Sequence, residues 1–555
     1  MGSIILVAFL ALYPLAWLVY GSFYSAAPLQ PGNLTLRNYV TAYTDPKLPG
    51  MLWRTVYFAL GQMVVAVTIG ALLGWIVVRT NTPGRRVFEF LILVLFLVPT
   101  ILAVVAWTML LSPSRGLINV LLVDLLSLDA PPFNIYSVGG MVFVQGLYLA
   151  PLAYLIITPA FTAIDASLEE SARMCGSGTV RTLTHVTLPL TRPSILAACL
   201  LLFVFGLESF EIPQMLGGQR GLYTYTTLIY NVIAEVFPAD YGKASALSML
   251  LLLVAGLCIY FYRRVTAQQT RFETLRGKGY RAGQIDLGPW RWATFAGCVL
   301  FFVIAVGLPL LILCIGSLLQ YYGRFDWGIF ERMSLANYPR VFEHPQLVKG
   351  MFNSLGLAIV GGAVCALLSA VFSYIIVKSR WSGRGALDGL AMLPIAVPAT
   401  VLGVGLLWAW ITLPLPVYGT TLILAVAFTT RYLPLCLRTV SGGLMQISSE
   451  LEEASKMAGA PWIYTARRII LPLLRPAMSA AWLMMFMIIM RELSMSILLA
   501  GPGNQVVSVV MYDYYTSGEL GPLSAASILF AAIVMAVILI ARFGFRVSFS
   551  EMRTG

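Results

Sequence analysis

Charged residues are scarce in this chain. Only 11% of its 555 residues are Asp, Glu, Lys or Arg, whereas 59% are hydrophobic and the mean hydropathy is +0.84. A globular domain typically carries about 25% charged residues, so a chain this apolar could not cover its surface with polar side chains in water. The composition excludes a soluble enzyme, a disordered scaffold and a free nucleic-acid-binding module. It predicts a polytopic membrane protein that lies in the lipid bilayer.

Residues that hold metals or form disulfides are also few. There are two histidines and seven cysteines, and no two cysteines have the CxxC spacing. The sequence therefore gives no sign of a histidine-rich metal centre, a zinc site or a disulfide framework. It contains neither a G-x-x-x-x-G-K-[ST] phosphate-binding motif nor a cluster of catalytic residues. We predict no catalytic, metal or cofactor site in this chain.

Long apolar runs dominate instead. A helix needs about 20 mostly apolar residues to cross a bilayer, and twelve segments meet this measure. They lie near 3–23, 53–78, 87–112, 139–161, 193–210, 243–262, 291–319, 351–377, 387–412, 418–437, 476–499 and 522–543. Most Lys and Arg residues fall in the loops after even-numbered spans. Because basic loops stay on the cytoplasmic side, both termini are predicted to be cytoplasmic. The net charge of +12 is a topology signal and does not indicate nucleic-acid binding.

The chain also repeats itself. IDASLEESARMCGSGTVRTLTHVTLPLTRP, from Ile164, aligns without gaps with ISSELEEASKMAGAPWIYTARRIILPLLRP, from Ile447, and 12 of the 30 positions are identical. Asn38-Tyr39 and Val98-Pro99 likewise match Asn337-Tyr338 and Val397-Pro398. Six spans separate equivalent points, so the copies have the same orientation, as in parallel-repeat transporters. We expect a six-span half at 1–262, a basic cytoplasmic linker at 263–290 and a second half at 291–555.

The best-matched segment is a polar loop, although loops normally vary most in sequence. Small residues after a glutamate pair suit a short helix packed closely against a surface, and a glycine permits the positive φ of a sharp turn. Leu-Pro is then expected to end the element, with the next membrane helix starting after Arg192-Pro193 or Arg475-Pro476. The residues that carry this helix–turn–helix are Glu169, Glu170, Ala172, Gly176, Leu188 and Pro189, and Glu452, Glu453, Ala454, Gly459, Leu471 and Pro472.

This spacing resembles the Glu-Ala-Ala, x3, Gly, x9, Ile-x-Leu-Pro loop of permease subunits in bacterial ATP-binding-cassette (ABC) importers. Ser171, Ser455 and Val186 depart from that pattern conservatively. The resemblance implies an all-α type I importer permease fold of two parallel six-helix repeats in the bacterial inner membrane. It implies that each loop is a coupling helix that docks on a cytoplasmic ATPase dimer, which binds ATP and Mg. A periplasmic or other extracytoplasmic solute-binding protein would deliver the cargo.

Fusion of both halves on one chain resembles the ferric iron and thiamine types of importer. Two segments of the loop near 113–138, Ser114–Leu117 and Pro131–Ser137, resemble the ferric iron type. Ferric iron or a ferric complex is therefore the expected cargo. Thiamine, phosphonates and sugar phosphates remain alternatives, because a shared scaffold does not establish a substrate. An ion-coupled secondary transporter would also have two parallel halves, but it has no reason to duplicate the coupling motif.

Four charged residues follow the repeated loops within apolar segments: Glu208, Glu211, Arg491 and Glu492. Charges inside a membrane are costly and usually face a partner or a water-filled path. These groups are expected to line the pathway or its outer gate, with a salt bridge from Arg491 to Glu208 or Glu211 across the pseudo-twofold axis. Arg431 is a further isolated charge, for which the sequence does not distinguish an acidic partner from a position at the membrane surface.

Overall fold

The computed structural model describes residues 2–267, 284–324, 326–413 and 417–545. Within these ranges, ten helices are long and apolar enough to cross a membrane, and two bent helix pairs bring the number to twelve. Spans 1 to 6 are Gly2–Phe23, Leu48–Arg79, the pair Arg85–Phe96 and Thr100–Leu111, Val138–Ala163, Thr179–Glu208 and Tyr241–Tyr262. Spans 7 to 12 are Trp290–Ser317, Pro345–Val377, the pair Arg384–Ala396 and Ala399–Thr412, Thr421–Met445, Trp462–Arg491 and Leu520–Ile540. Each of the twelve predicted spans corresponds to one of these helices or pairs.

Spans 3 and 9 are each broken at a proline. The two helices of span 3 meet at 98° and those of span 9 at 108°. Pro99 and Pro398 follow residues with extended backbone, Val98 at ψ 123° and Val397 at ψ 120°. Proline favours this conformation in the residue before it and cannot donate the helical hydrogen bond. The segments predicted as single spans at 87–112 and 387–412 are therefore both bent at equivalent places.

The two halves share local structure where their sequences match. The amide of Asn38 donates to two carbonyls at the end of span 1, at 3.1 and 2.8 Å. The amide of Asn337 donates to the equivalent carbonyls at the end of span 7, at 3.0 and 2.7 Å. Each asparagine thus holds the chain between the first two spans of its half against the first span. The duplication predicted from the sequence is confirmed at the level of individual hydrogen bonds.

The first span of each half packs against the other half. Span 1 lies along the second helix of span 9, and span 7 lies along the second helix of span 3. Gly21 and Gly316 permit the close approach, since a Cβ at these positions would lie 2.6 Å from Trp408 and 2.3 Å from Met109. The two halves therefore share one buried core, and neither half covers its own apolar surface alone.

The C-terminal end of the predicted linker is attached to the first half. Ile285, which is 1% exposed, donates its N–H to the Arg79 carbonyl at 2.7 Å and accepts from the Asn81 N–H at 3.2 Å. Asp286 accepts from the Asn81 amide at 2.5 Å and from the Gly288 N–H at 2.9 Å. These hydrogen bonds lower the pKa of Asp286 below its usual range. Residues 268–283 of the linker, including the basic residues Arg271, Arg276, Lys278 and Arg281, lie outside the described residues.

Candidate functional site

Each repeated loop forms a short helix and a glycine turn. Loop helix 1 is Ala166–Met174 and loop helix 2 is Ser449–Met457. Asp165 and Ser448 cap them by accepting a backbone N–H, at 3.0 and 3.2 Å, and so satisfy donors that a helix N-terminus leaves unpaired. Gly176 at φ +82° and Gly459 at φ +75° follow the helices. The predicted helix, turn and positive-φ glycines are all confirmed. We call the membrane end that carries these helices the loop end and the opposite end the far end.

The turn glycine gives the first testable prediction. Gly176→Val should destabilise the loop by about 1–2 kcal/mol, because a side chain in the left-handed region meets the following carbonyl. Gly178→Val is the matched control, since Gly178 has φ −70° and nothing lies within 4 Å of a Cβ added there. Denaturant unfolding of the purified chain measures both. Equal losses of stability for the two variants would show that the positive φ does not matter.

The expectation that Leu-Pro ends the element was wrong. Span 5 runs without a break from Thr179 to Glu208, through Pro189 and Pro193, and span 11 runs from Trp462 to Arg491. A π-helical turn precedes the proline in each span, at Leu183–Thr187 and Ala466–Ile470. The wider turn, with hydrogen bonds from i to i−5, accommodates a proline that would otherwise clash with the preceding turn. The segment after each turn glycine is thus continuous with its membrane span, whereas the loop helix before the glycine is a separate helix.

The two adjacent glutamates of each loop have different surroundings. Glu169 is buried, forms an ion pair with the buried guanidinium of Arg79, and accepts a hydrogen bond from Thr187 at 2.7 Å. Its counterpart Glu452 pairs with Lys378 at 3.3 Å. Arg79 is the last residue of span 2 and Lys378 directly follows span 8, so each ion pair fixes a loop helix to the membrane bundle. Sequence reasoning grouped both glutamates of a pair as loop-helix residues and missed this anchor.

Glu170 and Glu453 face outward. Both are exposed, and each is the fifth residue of its helix, beyond the first turn. The interaction of a carboxylate with the helix dipole is confined to the first turn, so neither glutamate is placed to stabilise its helix in this way. Met174 and Met457, at equivalent positions, are each 89% exposed. An exposed carboxylate and an exposed methionine therefore recur on both loop helices.

Some of the remaining predicted loop residues are packed against the protein, and others are exposed. Ala172 is half-buried, as close packing predicts, and its counterpart Ser455 is buried and bonds to Thr465 at 2.8 Å. Ala454 is exposed, so the packing expected of this alanine was wrong. The Leu-Pro pairs lie on the span helices, where Leu188 and Pro472 are half-buried and Pro189 and Leu471 are exposed.

A second cluster of charges lies where span 5 meets the bend of span 9. The Arg431 guanidinium forms an ion pair with Glu208 at 2.8 Å, and each side chain is 9% exposed. It also donates to the carbonyls of Pro394 and Ile395, at 2.8 and 3.0 Å. Glu208 belongs to the first half and Arg431 to the second. The cross-half salt bridge expected for Glu208 therefore exists, but its partner is Arg431 and the pairing with Arg491 was wrong.

Arg491 occupies the position equivalent to Glu208 and makes a different contact. It donates to the Phe96 carbonyl at 3.1 Å, and its guanidinium lies 5.5 Å from the centre of the Phe96 ring. Glu211 is near enough to interact with it electrostatically, but among the described residues Arg491 forms no ion pair. Glu492 accepts from the N–H groups of Met495 and Ser496 at 3.0 and 3.1 Å. Glu492 therefore caps the short helix that follows span 11.

Comparison with known proteins agrees with this geometry. Residues 66–273 and 358–553 each match the family described as the inner membrane component of binding-protein-dependent transport systems. The chain belongs to this family. The two matches contain the two loop helices, so the duplicated helix–turn–helix is a duplicated feature of this inner membrane component.

Three relatives carry related names. The chain is 29% identical over 411 residues to the ferric transport system permease protein FbpB of Actinobacillus pleuropneumoniae, and 31% identical over 382 residues to a putative ferric transport system permease protein, FbpB 1, of Haemophilus influenzae. These alignments cover 73% and 68% of this chain and 58% of each relative, so the chain spans little more than half the length of either. Fe(3+)-transport system permease protein FbpB 2 of Haemophilus influenzae is 22% identical over 527 residues, covering 93% of this chain and 94% of that protein.

Sequence reasoning about this membrane component assigned no partner to the three basic residues that anchor the site. Arg79 and Lys378 counted only among the basic residues that set the topology, and for Arg431 an acidic partner was left open beside a position at the membrane surface. A signal for two of them was present, because Arg79 and Lys378 are separated by 299 residues, the offset of the Asn-Tyr and Val-Pro matches. Equivalent bases at the ends of spans 2 and 8, and equivalent acids in the loop helices, indicate a duplicated ion pair.

Proposed function

We propose that this chain is the membrane permease of an ABC importer and forms the whole translocation pathway for ferric iron or a ferric complex. The observation that carries the proposal is the pair of equivalent loop helices, each anchored by an ion pair and each presenting an exposed carboxylate and methionine. Two copies of one surface on one chain suit a partner with two equivalent subunits. The names of the ferric transport relatives support the choice of cargo.

The loop helices would act as the coupling elements. Exposed Glu170 and Glu453 would accept charge-assisted hydrogen bonds from an ATPase dimer, and Met174 and Met457 would fill apolar pockets beside them. ATP and Mg would be bound by that partner, because this sequence has no phosphate-binding loop. In this proposal the ATPase activity belongs to the partner chain and the permease itself catalyses no reaction. Since the turn after each loop helix leads directly into the unbroken helix of span 5 or span 11, a displacement at the ATPase would pass into the membrane through that span.

The cargo would enter from a solute-binding protein at the far end. The basic residues near the loop end, such as Arg79, Arg85, Arg86 and Lys378, favour a cytoplasmic location for that end. Both termini would then be cytoplasmic, with the linker joining the halves on the same side. The buried Glu208–Arg431 pair would hold the halves together at the bend of span 9. Alternating access would require the groups around this bend to rearrange.

Co-purification and transport together test the proposal. The complex of this chain with its ATPase should contain one permease chain for every two ATPase subunits, because one chain supplies both loop helices. Reconstituted in proteoliposomes with a ferric-loaded binding protein, it should hydrolyse ATP faster and accumulate ⁵⁵Fe. Two permease chains per two ATPases would contradict the fused pathway. Stimulation by a thiamine-loaded or phosphonate-loaded binding protein, with none from the ferric-loaded protein, would overturn the choice of cargo.

A further inference from the structure

A cavity of about 580 Å³ lies between the two halves at the far end. Its polar wall comprises Tyr136, Gln214 and Tyr223 from the first half and Tyr322, Tyr512 and Tyr515 from the second. It shares no residue with the loop helices or with the cluster around Glu208 and Arg431. Its volume is in the range of pockets that hold small-molecule ligands, about 300–1,000 Å³. We call it the outer chamber.

The wall of the outer chamber is joined across the halves by tyrosine hydroxyls. Tyr512 accepts from the Gln214 amide at 3.2 Å, and Tyr515 donates to the Met215 carbonyl at 3.1 Å. Gln214 is only 5% exposed, and within the described residues no donor reaches its Oε1 atom. The hydrogen bond from Gln214 and the one to Met215 thus tie the second-half tyrosines of the chamber wall to the first half.

The outer chamber is built from a part of the first half that the second half lacks. The loop after span 3 extends from Ser112 to Ser137 and contains the extra helix Leu117–Leu126. Arg115 and Tyr136 from this loop line the chamber. The extra loop thus adds an arginine and a phenol to one side of the pseudo-twofold axis. In the second half, the position equivalent to Met109 holds the much larger Trp408, which is buried against span 1.

The chemistry of the wall selects one form of ferric ion. A bare Fe³⁺ ion is a hard cation that prefers several anionic oxygen ligands. The residues that line the chamber include one carboxylate, Glu235, and one cation, Arg115. The other polar groups of the lining are neutral phenols, hydroxyls and amides. Within the described residues, no group of three or more His, Cys, Asp or Glu side chains could hold a metal ion. Phenols and Arg115 instead suit the outer oxygens of a chelate, since arginine forms strong charge-assisted hydrogen bonds with carboxylates.

We propose that the outer chamber binds a ferric ion already held by a small polycarboxylate chelator. Arg115 and the Tyr512 hydroxyl bond to the chelator oxygens. The proposal rests on ferric iron as the cargo and adds the chemical form in which it is received. The cross-half hydrogen bonds of Tyr512 and Tyr515 place the bound complex where the halves must separate during transport.

Binding to the full chain in lipid nanodiscs tests this proposal without the ATPase or the binding protein. The probe is ⁵⁵Fe-labelled ferric citrate, measured by equilibrium dialysis beside iron-free labelled citrate. Arg115→Gln and Tyr512→Phe should each weaken ferric citrate binding at least 10-fold. Tyr338→Phe is the matched control, because it removes a tyrosine hydroxyl that bonds to Ser317 at 3.1 Å, outside the chamber. It should bind like the unmodified chain.

Three results would overturn the chamber assignment: no binding by the unmodified chain, equal binding of ferric citrate and iron-free citrate, or unchanged binding by Arg115→Gln and Tyr512→Phe. The proposed function fails separately. It fails if the complete transporter accumulates no ⁵⁵Fe from any ferric-loaded binding protein. Accumulation of ⁵⁵Fe that Arg115→Gln leaves unchanged would retain the importer and reject the chamber.

Discussion

Replacing Arg431 with methionine should destabilise the chain by about 3–5 kcal/mol and abolish transport. The variant leaves the Glu208 carboxylate buried without its cation, and an uncompensated buried charge costs about this much. The two carbonyls at the bend of span 9 also lose their donor. Thermal unfolding of the purified chain and ⁵⁵Fe accumulation in proteoliposomes measure the two effects.

The paired variant isolates the ion pair from the loss of a side chain. Arg431→Met with Glu208→Leu should recover part of the stability, because no charge then remains buried, and an apolar replacement of a buried pair is often tolerated. Arg438→Met is the matched control on the same helix. Arg438 pairs with Asp388 at 3.2 Å, but the two side chains are 53% and 32% exposed, and such pairs contribute at most about 1 kcal/mol. Strictly additive losses in the Arg431 and Glu208 cycle would argue against their contact.

The two adjacent glutamates of each loop helix should fail in different ways. Glu169→Gln removes the charge that neutralises buried Arg79 and should cost about 3–5 kcal/mol of stability. Glu452→Gln should cost less, because Glu452 and Lys378 are 20% and 12% exposed. Glu170→Gln and Glu453→Gln should leave stability nearly unchanged, since both carboxylates are exposed. Their loss should instead weaken attachment to the ATPase by about 1.5–3 kcal/mol per site, the contribution of a hydrogen bond to a charged group.

Denaturant unfolding and ATPase binding separate these two roles. A stable Glu169→Gln variant would contradict the buried anchor. Full ATPase affinity in the double Glu170→Gln and Glu453→Gln variant would contradict docking through the exposed carboxylates. Because the residues are neighbours with the same chemistry, any difference between their variants comes from the surroundings of each carboxylate.

The fold could be predicted because it depends on the length of the apolar segments and on the repetition of one half of the sequence in the other. The thickness of a bilayer fixes the length of an apolar helix, so twelve spans were recognisable from composition alone. The 30-residue match from Ile164 and Ile447 established parallel halves and placed both loop helices. The turn glycines were predictable as well, because a residue without a side chain is favoured wherever φ is positive.

What could not be predicted depends on the geometry of packing. A proline removes a helical hydrogen bond and crowds the preceding turn, and the wider π-turns before Pro189 and Pro472 accommodate it where spans 5 and 11 continue. The bends at Pro99 and Pro398 likewise depend on how the helices on either side are packed. The partner of Glu208 was misassigned because pseudo-symmetry placed Arg491 opposite it. Arg431 reaches Glu208 only because span 10 passes the bend of span 9, a relation that no spacing along the chain reports.

Coupling of the proposed permease to ATP hydrolysis through its two loop helices can be measured directly in the reconstituted complex. ATP hydrolysis by the reconstituted complex is followed with and without cargo-loaded binding protein, at equal permease content. The double Glu170→Gln and Glu453→Gln variant should insert and fold like the unmodified chain but lose the stimulation by cargo. Stimulation and transport equal to those of the unmodified chain would contradict coupling through the loop helices.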